Sequence, residues 1–145
     1  MKEGMTIIVK TITRFVGVMV MLFGVYIVLH GHLTPGGGFA GGVILASGFI
    51  LLTLAFGKNV SLEILSQRVA GALESVGALI FLGVALLGYA GGFFFLNLLP
   101  KGTAGKLISA GIIPICNIGI GIKISAALFA IFMVLIILRI EPREK

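Results

Sequence analysis

Five side chains set polar or ionisable groups against apolar sequence: His30, His32, Glu74, Asn117 and Lys123. Imidazole as a group titrates near neutrality, so a proton or ion-entry role at a membrane boundary is one reading of the pair. As an i, i+2 pair with no carboxylate or thiol beside them they fall short of a metal site, so no metal is expected. Interfacial hydrogen bonding is their plainer reading. Glu74 and Lys123 stand inside long apolar runs, where each charge costs about 2.5–3.5 kcal/mol at a helix centre on insertion scales. Charges kept at that cost serve as proton or cation relay stations, or as buried anchors to another subunit. Three and four positions from Glu74 lie Ala70, Gly71, Gly77 and Ala78; Gly119 and Ala127 flank Lys123, with Ile120 and Ala126 beside them. Small residues invite a packed helix, so both charges are expected to point into protein. The plainer alternatives are a Glu74 wetted at a nearby interface and a Lys123 that snorkels outward. Pro114 removes a helical hydrogen bond, and Asn117 could satisfy the freed carbonyl or coordinate a cation, unless both merely pack at the helix start.

The elements that must carry these residues are membrane helices. The chain has 145 residues, 59% hydrophobic and 11% charged, with a mean hydropathy of +1.22. Soluble domains carry roughly 25% charged residues, so this surface suits lipid. Spans of about 20 apolar residues place four transmembrane helices at approximately 6–29, 39–56, 69–96 and 114–138, in one domain over 1–145. Gly91 and Gly92 mark where the long third span frays. Phe15–Leu29 approaches a signal-peptide core in length, but apolar sequence follows it, so it is read as a spanning helix. The net charge of +6 does not imply nucleic acid, because the basic residues sit at helix ends. Cys116 is the single cysteine, which rules out an intrachain disulfide and CxxC motifs.

Charge asymmetry gives the orientation. Lys2, Lys10, Arg14, Lys58, Arg68, Arg139, Arg143 and Lys145 would share one side, and only Lys101 and Lys106 the other. The positive-inside rule then puts both termini in the cytoplasm, with Tyr26 and Tyr89 toward the outer boundary. Arg139 and Pro142 end the last span. Counted from Arg68, Glu74 is about 9 Å deep, and counted from Arg139, Lys123 is about 24 Å deep. That offset of roughly 15 Å argues against an ion pair between them.

The first two spans are joined by His30-Gly-His-Leu-Thr-Pro-Gly-Gly-Gly-Phe-Ala-Gly-Gly42. Gly36, Gly38 and Gly41 satisfy GxGxxG, but a nucleotide cradle needs a preceding strand, and a helix precedes this one. The packing reading makes Thr34 an N-cap before Pro35. It also makes Gly37/Gly41 and Gly38/Gly42 small-xxx-small pairs for a close helix contact, with Phe39 projecting from the opening turn.

Gly31-His32, Pro35-Gly36-Gly37-Gly38-Phe39, Gly41-Gly42 and Asn117-x-Gly119-Ile120-Gly121-x-Lys123 together resemble the MrpB (MnhB) family of multisubunit Na+/H+ antiporter subunits. Related subunits occur in archaeal membrane-bound hydrogenases. The resemblance implies a subunit without cofactor or redox chemistry, set among other membrane subunits and supporting Na+ and H+ exchange in the cytoplasmic membrane. Lys123, Pro35, Phe39 and the loop glycines carry over from the family pattern; Glu74 is nominated on physical grounds. Two rivals remain. One is a self-sufficient, homo-oligomeric channel or transporter, although four helices offer few polar stations for alternating access. The other is a membrane enzyme using His30 and His32, for which no nucleophile or carboxylate cluster is evident.

Overall fold

The computed structural model describes residues 5–140, all helix and connecting loop. Lys2, Pro142, Arg143 and Lys145, used above as topology or stop signals, lie outside the described residues. The helices are α1 (Ile7–Leu29), α2 (Gly37–Phe56), α3 (Lys58–Ile64), α4 (Gln67–Leu87, extended by a 3₁₀ turn over Gly88–Gly91) and α5 (Ile113–Ile140). Four are long and apolar enough to cross a membrane.

Local chemistry explains most of the boundaries. Ser66 caps α4, its hydroxyl accepting from the Val69 N–H at 3.3 Å. Gly57, at φ +94°, breaks the chain between α2 and α3. Gly92 ends the 3₁₀ turn in the left-handed conformation at φ +97°. The third span is thus shorter than the expected 69–96, because that reversal turns the chain into a loop. Asn97 stitches the loop to α5: its Oδ1 accepts from the Ile112 N–H at 3.3 Å and its Nδ2 donates to the Ala110 carbonyl at 3.2 Å.

The start of α2 corrects the sequence reading. Gly36, not Thr34, is the N-cap, at φ +102° and without a side-chain cap bond. The Thr34 hydroxyl instead donates back to the His30 carbonyl at 3.0 Å, so it is not available to the helix that follows. Pro114 falls in the first turn of α5, where the amide it lacks would have had no intrahelical partner.

The long helices pack in the order α1–α2–α5–α4, α2 contacting both α1 and α5, and α4 resting on α5. Gly38 lies beside Asn117, and Phe49 packs on Phe129 with ring centroids 5.8 Å apart. α2 and α5 therefore run parallel. It follows that the hairpins α1–α2 and α4–α5 are oriented alike, not inverted. Leu65, Ala70, Phe129 and Met133 form a buried cluster where α4 begins, with Phe49, Leu62 and Ala130 packed against it. Much of α1 and α4 is left as exposed apolar surface, including Ile8, Phe15 and Leu22 on α1 and Leu79, Leu82 and Leu86 on α4. Such faces belong against lipid or another membrane helix.

Candidate functional site

The seam between α4 and α5 is built on bare backbone. A methyl group on Gly77 would lie 2.6 Å from the Gly119 carbonyl oxygen, 2.8 Å from the Lys123 amide nitrogen and 2.9 Å from Lys123 Cβ. One on Gly119 would lie 3.1 Å from the Gly77 carbonyl oxygen. Only glycine permits helices to approach that closely. Lys123 is consequently level with Gly77, and Glu74 sits three residues away, about 4.5 Å along the axis.

That geometry overturns the expected offset of roughly 15 Å. The depth count treated Arg68 and Arg139 as marking one plane. Ala70 packs with Phe129 and Met133, so Arg139, six to ten residues beyond them, lies about 9–15 Å past the level of Ala70. α5 overhangs the start of α4, and the two charges come within one helical turn of each other.

Both charged residues are half-buried. Ala70, Gly77 and Ala85 form the buried stripe of α4, and Glu74, one turn from both Ala70 and Gly77, falls on it. Gly71, counted above among the packing residues, faces open space. Lys123 lines a groove of about 290 Å³ with Gly77, Ala78, Phe81, Ile120 and Ile124. Among the described residues neither Glu74 nor Lys123 has a hydrogen-bond or ion-pair partner.

At the end of the bundle where α2 and α5 begin, Asn117 organises the glycine-rich turn. It is 9% exposed, and its Oδ1 accepts the Gly38 N–H at 3.3 Å. A methyl group on Gly38 would overlap the Asn117 carbonyl oxygen, and one on Gly31 would lie 2.7 Å from Asn117 Nδ2 and 2.6 Å from Gly37 Cα. The asparagine oxygen that could face a cation is thus occupied by a backbone amide. Nδ2, a donor, is buried without a partner. The paired glycines serve two neighbours. Gly41 meets α1 at Val28 and Gly24, whereas Gly38 and Gly42 meet α5 at Asn117, Gly121 and Ile124. Pro35 and Phe39 are exposed.

His30 and His32 occupy the same end and do not join the α4–α5 seam. His30 Nδ1 donates to the Tyr26 carbonyl at 3.0 Å, and its ring stacks on Tyr26 at 4.1 Å. His32 Nε2 donates to the Lys106 carbonyl at 3.0 Å, while its Nδ1 is buried without a partner. His32 also borders a cavity of about 340 Å³ under the 97–113 loop, with Lys101, Gly102, Gly105 and Ser109. Among the described residues no group of three His, Cys, Asp or Glu side chains could hold a metal ion. The sequence reading missed two features: the Asn97 stitch, and Phe56 beneath Arg14 and Lys10 at 5.3 and 5.8 Å. Contacts so distant in sequence leave no local signal.

Long apolar helices with two ionisable groups at mid-helix define a multi-pass membrane protein. The chain belongs to the family described as a domain related to the MnhB subunit of Na+/H+ antiporter, which matches residues 8–130. It is 38% identical over 135 residues to an uncharacterized protein of Methanocaldococcus jannaschii, covering 85% of this chain and 49% of that protein. It is also 38% identical over 104 residues to a Na(+)/H(+) antiporter subunit of Bacillus subtilis, covering 66% of this chain and 72% of that protein. Among solved structures it resembles a chain of the membrane-bound sulfane sulfur reductase, an archaeal respiratory membrane complex. The TM-score is 0.77 at 32% identity, over 92% of this chain and 61% of that one. The chain therefore spans about half of the M. jannaschii relative and under two thirds of the matched chain in the solved complex.

Proposed function

We propose that this chain is a membrane subunit of a multisubunit Na+/H+ antiporter, free-standing or coupled to a respiratory complex such as a hydrogenase or a sulfur reductase. It has no redox chemistry of its own and contributes to assembly and to cation and proton translocation. It forms one transmembrane domain of the cytoplasmic membrane with both termini inside.

The observation that supports this reading is the placement of Glu74. A carboxylate on the buried stripe of a spanning helix, without a partner among the described residues, is poised to take up a proton or to offer its oxygens to Na+. His30 and His32 are too far along the bundle to share that site, and their hydrogen bonds suit them to holding the connecting loops. Gly31, Gly37, Gly38, Gly41 and Gly42 serve packing at the turn, where Asn117 meets Gly31, Gly37 and Gly38, while Pro35, Gly36 and Phe39 form its exposed side.

Purification of the tagged chain from its native membranes tests the assembly claim. Co-purification with other membrane subunits, and Na+/H+ exchange by the reconstituted assembly, is expected. A homo-oligomer of this chain that exchanges ions alone would establish the self-sufficient transporter instead.

A further inference from the structure

We propose that the groove between α4 and α5 receives a transmembrane helix of a neighbouring subunit, and that a carboxylate on that helix pairs with Lys123. The proposal rests on the multisubunit reading above only for the existence of the neighbour; the chemistry of the contact comes from the groove.

The groove exists because α4 presents Gly77 and Ala78 opposite Lys123, leaving a recess of about 290 Å³ rimmed by Phe81, Ile120 and Ile124. Apart from Lys123 its lining is apolar, which suits a helix in lipid. Lys123, whose ammonium group has three donors to satisfy, lines this recess.

Among the described residues, no anion of this chain meets Lys123. Lys123 lies ten residues, about 15 Å, from Ile113 at the start of α5, and further from the other end. A lysine side chain spans well under half that distance, so snorkelling to head-group phosphate fails. Glu74 stands one turn away on the facing helix, yet makes no ion pair among the described residues. Glu63, the other described carboxylate, lies on α3, before α4 begins. Carboxylate from outside the chain completes the charge. In a low-dielectric setting it also confers specificity, since a neighbour with a basic residue at that level is rejected.

Zero-length cross-linking of the intact, detergent-solubilised complex tests this. A membrane-permeant carbodiimide activates a carboxylate; the Lys123 amine displaces it, forming an amide and releasing the urea. The expected product is an amide joining Lys123 to an Asp or Glu of another subunit, identified by mass spectrometry. Lys123→Arg should abolish that product while leaving the complex assembled, because the charge remains. Lys123→Glu should reduce co-purification of the neighbour at least tenfold. An amide between Lys123 and Glu74 would overturn the proposal, as would an intact complex with no Lys123 link or a Lys123→Glu variant that assembles normally. A chain that purifies with no neighbour would remove the antiporter-subunit reading as well, which separates the two failures.

Discussion

Alanine at Gly38 should loosen the bundle where α2 meets α5. The added methyl group would overlap the Asn117 carbonyl oxygen and sit 2.9 Å from Asn117 Cα, where ordinary contact begins at 3.4 Å. Because the obstacle is backbone, no rotamer change relieves it, and α5 must retreat by about half an ångström or more. Overpacking of that kind costs about 1–3 kcal/mol. The same movement stretches the 3.3 Å bond from the Gly38 N–H to Asn117 Oδ1, and unpaired buried groups cost a further ~1–3 kcal/mol. The combined loss is about 2–6 kcal/mol. Gly71→Ala is the control: nothing lies within 4 Å of the added carbon, and relief of a mid-helix glycine is worth roughly 0.5–1 kcal/mol. Thermal unfolding in detergent should therefore place Gly38→Ala well below the parent protein and Gly71→Ala at or above it. Equal midpoints for the two variants would refute the close-contact argument.

Other expectations follow from the loops and the topology. His32→Ala removes the bond to the Lys106 carbonyl, worth about 0.5–1.5 kcal/mol. Opening of the 97–113 loop should rise about two- to tenfold, read as faster trypsin cleavage after Lys101 or Lys106; an unchanged rate would show that the histidine does not hold the loop. For orientation, Lys101→Cys in a Cys116→Ser background should react with an impermeant maleimide in intact cells. Asn59→Cys in that background should not, and the reverse pattern would invert the topology. Asn117→Leu keeps much of the volume but leaves the Gly38 N–H unpaired, so a loss of about 1–3 kcal/mol is expected in the same melting assay.

The helices were legible in the sequence because lipid imposes a simple code: long uncharged runs, punctuated by glycine and basic residues. Gly57 and Gly92 act as that code implies. The α2 start was misread because Thr34 and Pro35 form a good local cap signal, and nothing local reveals that the threonine hydroxyl is taken by the His30 carbonyl. Of the small residues around Glu74 and Lys123, Gly77 and Gly119 line the α4–α5 seam, whereas Gly71 faces open space. The relative depth of the two charges was not legible, because it depends on how far α5 overhangs α4. That overhang is set by Ala70 packing with Phe129 and Met133, residues about sixty positions apart. Counting from flanking basic residues assumes a flat boundary, which helices of unequal length do not supply. Asn117 was legible as a polar residue at a helix start, but its partner, Gly38, lies 79 residues away.

The placement of Glu74 is the claim on which the transport role depends. Na+/H+ exchange in inverted membrane vesicles carrying the assembled complex, comparing Glu74→Gln with the parent at matched subunit content, tests it most directly. The account predicts at least a tenfold loss of exchange with assembly intact. Full exchange by the Glu74→Gln complex would contradict it and leave the residue as a packing element of the α4–α5 seam.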